Sequence, residues 1–211
     1  MKRVVKKGTF TNKDITIKAC ERAYNGFFKL DKVTFDHKRF DGGMNYDVVR
    51  EVVQRQDAVG VLLYDPKRDE ILLIEQIRIP LYEKSESPWT YEIVAGIMDQ
   101  EGEDREALAR REALEEAGVT IDQLIPMHHY FSSTGGSTEQ LFLYLGICSL
   151  ENAGGVFGVE NEHEDIRAFT LAREEAFQLL DQNRLDNAST LIALLWFRQN
   201  YQKFQEETHA N

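Results

Sequence analysis

Two runs, AVGVLLYD at 58–65 and EILLIEQIRI at 70–79, are nearly all apolar and flank Pro66 in the turn DPKRD. A strand with one wet face alternates apolar and polar residues. These two do not, so both of their faces must be buried. A hairpin of that kind needs cover on both sides, and helices can supply it. Residues 104–117 are rich in Ala, Glu, Arg and Leu, all strong helix formers, and Gly118 is placed to end that helix in a left-handed conformation. LAREEAFQLLDQ and ASTLIALLWFRQNYQKF read as two further helices, with Asn187 as a cap before the second. WTYEIVAGI, HHYFSS, QLFLYLGIC and IRAFTL read as strands. Strands, then a helix, then strands, then helices do not make a regular βαβ array. The expected fold class is α/β, with a mixed β-sheet and helices on its faces.

Ahead of the apolar pair lies a different kind of segment. KVTFDHKRF and YDVVREVVQR flank the turn signal DGGM at 41–44, which predicts an antiparallel hairpin. Residues 1–55 are therefore expected to form a small N-terminal antiparallel β unit, and residues 56–211 the main domain. The net charge of −11 argues against nucleic acid or an anionic membrane as partner. An anionic substrate would need local arginines or bound cations. MKRVVKKGTF has no apolar stretch behind it, and no run reaches membrane-spanning length, so a cytoplasmic protein is expected. Cys20 and Cys148 match no metal or redox spacing and read as reduced thiols. His128 and His129 are adjacent on a strand, which predicts one in the core and one on the surface.

The stretch RREALEEAGV at 110–119 concentrates charge. At about 100° per residue, Glu112, Glu115 and Glu116 share one helix flank, and Ala107, Ala109, Ala113, Leu114 and Ala117 are expected to face the core. Taken alone, that flank could be a solvated surface with Arg111 paired to Glu115. Divalent cations such as Mg²⁺ favour several carboxylate oxygens near one point, which is the functional alternative. The surrounding residues favour the second reading. Gly96, Glu103, then Arg111-Glu112-Ala113-Leu114-Glu115-Glu116-Ala117-Gly118-Val119 closely resemble the signature of the Nudix hydrolases, which cleave nucleoside diphosphates linked to another group. From Glu103 onward the match is complete, with a small Ala113 at an apolar position. Six residues rather than the family's five separate Gly96 from Glu103.

The resemblance implies a Nudix-type α/β/α sandwich. It also implies Mg²⁺ (Mn²⁺ possible), several ions per site, on Glu112 and Glu116 with Glu115 assisting, the carbonyl of Ala95 as a further ligand, and Arg111 orienting the glutamates. Beyond the signature, GFF at 26–28, VREVVQR, IEQIRIP, PWTYEIVAGI, STGGSTE and ENEHEDIR resemble the bacterial ADP-ribose pyrophosphatases of this family. That likeness implies hydrolysis of ADP-ribose to AMP and ribose 5-phosphate by a homodimer. Phe27 or Phe28 would stack on adenine with Arg50, next to Glu51. Arg55 and Arg78 would bind diphosphate or ribose oxygens. Ile97 and the loop Ser133, Thr134, Gly135 would contact the ligand, and Glu139 would hold the terminal ribose. In the glycine-rich acidic loop at 151–165, Glu162 matches the general base and Glu164 an additional metal ligand, with Glu164 as the alternative base. Read without the family, GFF suits a core, and Arg50 or Arg78 a surface ion pair. Thr134 stands where these enzymes usually carry a proline, which leaves other substrates open, such as GDP-mannose. A non-hydrolytic ADP-ribose sensor would be expected to lack some signature carboxylates, and all three are present.

Overall fold

The computed structural model describes residues 8–100, 102–159 and 163–209. The chain divides into two compact units: residues 8–55 with Ser133–Glu139, and Gln56–Ser132 with residues 140–209. In the first, β1 (Ile15–Asn25), β2 (Lys29–Lys38) and β3 (Met44–Gln54) form an antiparallel sheet in that order. The predicted DGGM turn closes β2 onto β3, with the Arg39 N–H bonded to the Gly43 carbonyl at 2.8 Å and Gly42 at φ +89°. The sequence reading has no strand before residue 26, yet β1 is 11 residues long. Its pairing with β2 shifts register between Ile17 and Ala19 and again between Arg22 and Tyr24. Each bulge breaks the two-residue phase by which a strand is recognised. The segment Ser133–Glu139 joins this unit through backbone bonds to Val53: Val53 N–H to Gly136 O at 2.8 Å, and Thr138 N–H to Val53 O at 3.1 Å.

The second unit contains β4 (Ala58–Asp65), β5 (Glu70–Ile77), β6 (Trp89–Glu92), β7 (Val94–Ile97), α1 (Arg105–Ala117), β8 (Ile121–Phe131), β9 (Gln140–Cys148), β10 (Gly155–Phe157), β11 (Ile166–Ala172), α2 (Arg173–Asp181) and α3 (Ala188–His209). Its eight strands run β10-β11-β5-β4-β9-β8, with β6 paired to β5 and β7 to β4. The β4–β9 pair is parallel and the rest antiparallel, so the sheet is mixed. The two apolar runs are its central strands, and every residue of β4 is buried.

Alternation along the strands explains why they are apolar throughout. Val59, Val61 and Leu63 of β4 and Leu72 and Ile74 of β5 pack under α1, on Leu108, Ala109, Ala113 and Ala117. Leu62 and Tyr64 of β4 and Ile71 and Leu73 of β5 pack on the opposite face, on Ala176, Phe177, Ala193, Leu194 and Phe197 of α2 and α3. The result is the expected three-layer α/β/α arrangement. Each fully buried Leu or Ile contributes about 1.5–3 kcal/mol. Asn187 caps α3 as expected, its side-chain oxygen accepting from the Thr190 N–H at 3.1 Å.

Several expectations change. WTYEIVAGI is two strands, β6 and β7, which break at Ile93 so that one pairs with β5 and the other with β4. The acidic loop contains the short strand β10. His128 and His129 are both exposed, because the β8–β9 register shifts between Pro126 and His129; His129 instead stacks on Phe142 at 5.6 Å. On α1, Ala107 and Leu114 face solvent, while Leu108 and Glu116 are buried with Ala109, Ala113 and Ala117. The buried arc is thus rotated toward the glutamates, and the carboxylate flank borders the core rather than opposing it.

Candidate active site

Helix α1 begins at Asp104, whose side chain accepts from the Glu106 N–H at 3.0 Å, and ends at Gly118 with φ +65°. Between these caps Arg111 acts as a hub. Its Nε donates to Glu103 at 3.1 Å, and its Nη1 lies 3.0 Å from Glu112 and 2.9 Å from Glu115. The orienting role expected of Arg111 therefore has a geometric basis, and Glu103 is held at the helix from the preceding loop. In that loop Gly102 has φ +81°, and the Glu103 N–H donates to the Gln100 carbonyl at 3.3 Å.

Glu116 is 5% exposed, and its Oε2 accepts from the backbone N–H of Ala95 on β7 at 3.0 Å. Glu112 faces the same strand. A Cβ on Gly96 would fall 2.3 Å from Glu112 Oε1, so only glycine lets this backbone approach the carboxylate. Burial pushes Glu116 up to about 8; the Ala95 N–H opposes this, and the Glu112 and Glu164 charges add to it. Burial likewise pushes Glu112 up to about 7 against the pull of Arg111, with Glu115, Glu164 and Glu103 reinforcing the rise. Glu115 is more exposed and lies at the outer side of the group.

Glu164 is brought to this cluster by the loop after β10, where its Oε2 accepts from the Val159 N–H at 3.2 Å. Glu162, the expected base, and its neighbour Glu160 lie outside the described residues. Among the described residues no three His, Cys, Asp or Glu side chains converge on a single point. Each carboxylate is turned instead to a protein donor. The donor set nonetheless fits a hard divalent cation: the carboxylates of Glu112, Glu115, Glu116 and Glu164 are all oxygen donors, and their mutual charge is high.

Arg78, just past β5, lies near the same cluster, and the charges of Glu116 and Glu164 reinforce its protonation. Its guanidinium is bonded to Glu92, which sequence reasoning missed. An ionisable residue inside the apolar segment WTYEIVAGI was the available signal. Ile97 ends β7 in an exposed position.

The other expected substrate residues belong to the N-terminal unit. Phe27 is 85% exposed and packs edge-on against Phe28 at 5.1 Å, so GFF is not a core segment. The Arg55 guanidinium lies over the Phe28 ring at 5.0 Å and pairs with Glu139 at 2.8 Å. Arg50 and Glu51 lie on β3 opposite Val33 and Lys32 of β2, and Arg50 donates to the Val49 carbonyl at 2.7 Å. The Ser133 carbonyl accepts from Gly136 and Ser137, while Thr134 and Gly135 are exposed at the loop tip. The structure thus brings together Phe28, Arg55 and Glu139 in one unit, and Glu112, Glu116, Glu164 and Arg78 in the other.

The NUDIX domain model matches residues 54–194. ADP-ribose pyrophosphatase of Escherichia coli is 42% identical over 94% of this chain and 95% of its own length. That of Haemophilus influenzae is 36% identical over 93% and 92%. GDP-mannose pyrophosphatase of Yersinia pestis is 32% identical over 83% and 87%. Among solved structures, an ADP compounds hydrolase superposes with a TM-score of 0.69 at 18% identity, covering 93% of this chain and 98% of that one, which shows a shared fold. With the signature carboxylates gathered on α1 beside Gly96 and the family match spanning both flanks of the sheet, the chain belongs to the Nudix family of pyrophosphohydrolases.

Proposed function

We propose that this protein hydrolyses the pyrophosphate bond of ADP-ribose to AMP and ribose 5-phosphate. The observation that carries the reading is the half-buried Glu112 and the buried Glu116, held on one helix flank, with Arg78 near Glu116. Substrate choice draws on the 42% identity to an ADP-ribose pyrophosphatase. Glu112 and Glu116, with Glu115, Glu164 and the Ala95 carbonyl, would hold Mg²⁺ or Mn²⁺. Bound there, such ions neutralise charge that builds on the diphosphate and make an attacking water more acidic. Arg111 keeps the glutamates oriented, and Arg78 offers a fixed positive charge to a phosphate oxygen. Glu162 takes the proton of the attacking water, with Glu164 as the second choice. Phe27, Phe28 and Arg50 stack on adenine, Arg55 binds diphosphate or ribose oxygens, Glu139 holds the terminal ribose, and the working form is a cytoplasmic homodimer.

Incubation of ADP-ribose with purified protein tests this. AMP and ribose 5-phosphate should form with Mg²⁺ and not with EDTA; no turnover in Mg²⁺ sinks the reading. A second reading, hydrolysis of GDP-mannose, is favoured by the 32% identity to a GDP-mannose pyrophosphatase and by Thr134 in the ligand loop. A higher kcat/KM for GDP-mannose than for ADP-ribose would select it.

A further inference from the structure

Glu92 ends β6 opposite Ile74 of β5 and is 2% exposed. A carboxylate removed from water needs a positive partner and bonds to both oxygens. It has them. Oε1 accepts from Arg78 Nε at 2.9 Å, and Oε2 accepts from Arg78 Nη2 at 2.7 Å and from Gln76 Nε2 at 3.4 Å. Arg78 is fixed at its backbone too, its N–H donating to the Pro88 carbonyl at 2.7 Å.

The pair is asymmetric. The Glu92 side chain is 2% exposed and that of Arg78 46%. Here the fork occupies the Nε–Nη2 edge of the guanidinium, and among the described residues Nη1 has no partner. The charge left open lies close enough to Glu116 and Glu164 for each to favour the protonated arginine. A free arginine of this exposure would sample many rotamers and would lose that freedom on binding an anion. A two-point clamp from a buried carboxylate removes most of it beforehand.

We propose that Glu92 is a positioning residue: it clamps Arg78 by its inner edge so that the outer edge is presented to the substrate diphosphate beside Glu116 and Glu164. The proposal rests on the pyrophosphohydrolase reading above. Gln76 supports the same carboxylate from the neighbouring strand. Glu92 itself touches no reacting atom.

The test is a double-mutant cycle with ADP-ribose and Mg²⁺: wild type, Arg78→Ala, Glu92→Gln and the double variant. Glu92→Gln keeps the shape of the side chain, and near-ultraviolet circular dichroism checks that it folds. It should lower kcat/KM by about 10- to 100-fold, the scale on which misplacement of a binding group is felt. Arg78→Ala should lose at least as much, and adding Glu92→Gln to it should cost nothing further. Arg78→Lys keeps the charge and loses the fork, so it should resemble Glu92→Gln rather than wild type. Glu92→Gln within twofold of wild type, losses that multiply in the double variant, or a fully active Arg78→Lys would each overturn the proposal. If wild type turns over no nucleoside diphosphate sugar, the functional reading fails by itself. Calorimetric binding of ADP-ribose to the same proteins, with the same expected pattern, then decides the role of Glu92.

Discussion

In the eight-stranded sheet every residue of β4 is buried, whereas among residues 8–55 the buried side chains are two aspartates, Asp31 and Asp36. Apolar side chains of the three-stranded sheet, Ile15, Ile17 and Tyr24 on β1 and Tyr46 on β3, face solvent. One sheet is held by apolar contact on two faces, and the other by its ladder and by ion pairs such as Lys18 with Asp36 at 3.0 Å. Their buried carboxylates differ in the same way. Asp31 is bonded to Arg22, and Asp36 accepts from the Asp47 N–H at 2.8 Å and pairs with Lys18, so both are held below the ordinary value of 3.8. Glu112 and Glu116 are pushed up instead, because burial outweighs their partners. Acids in the first sheet are satisfied by the fold. For Glu112 and Glu116 burial outweighs the nearby positive charge, as the proposed cation-binding role would require.

The largest expected effect separates the two sheets by stability. Leu62→Ala, between β5 and β9 in the apolar core, should cost about 2–5 kcal/mol in urea unfolding. Ile17→Ala on β1 should cost less than about 0.5 kcal/mol in the monomer. An equal loss for both would mean that the outer face of β1 is covered, as the proposed homodimer would allow, and sedimentation across a concentration series would then show it.

Next in size is the contrast between the carboxylates. Glu112→Gln should lower kcat/KM at least ~100-fold, beyond the usual cost of losing an outer partner of a metal, without lowering the unfolding temperature. Asp31→Asn should do the reverse, lowering the unfolding temperature of a chain that keeps its catalytic groups. A fully active Glu112→Gln would remove the metal assignment.

Acid should act on the first sheet before the second. A group whose folded pKa is depressed contributes stability above its unfolded value and loses it as pH falls through the folded one. Asp31 and Asp36 therefore contribute their full stabilisation of β1–β3 above about pH 4 and lose it progressively as pH falls below that through their depressed folded values. In hydrogen exchange followed as pH is lowered step by step from 4, β1–β3 should lose protection ahead of β4 and β5; uniform loss would contradict the contrast. The smallest effect concerns the thiols. Cys20 on β1 is exposed, and Cys148 is buried with its thiol pushed up to about 12. A thiol reagent at pH 8 should label one cysteine in the native chain and two in denaturant.

Much of this was legible in the chain because it depends on local chemistry. An unbroken apolar run has no polar face to show to water, so 58–65 and 70–77 had to be central strands. Asp104 and Gly118 bound α1 by cap chemistry that is written in residue types. The spacing of Arg111, Glu112, Glu115 and Glu116 puts them on one flank of a helix, and with Gly96, Glu103 and Gly118 it carries the resemblance to the family signature. What stayed hidden depended on contacts distant in sequence. The strand β1 lost its period to two bulges, and WTYEIVAGI split because β4 and β5 each took half of it. Periodicity gave the relative directions of the α1 side chains but not the angle at which the sheet meets the helix. That angle buries Glu116 and leaves Leu114 in water. The sequence alone determined which residues carry the family signature and which strands must be covered. Tertiary structure alone decided that Gly96 would lie against Glu112 and that Glu92 would reach Arg78, because close approach and burial belong to segments that meet only in the folded chain.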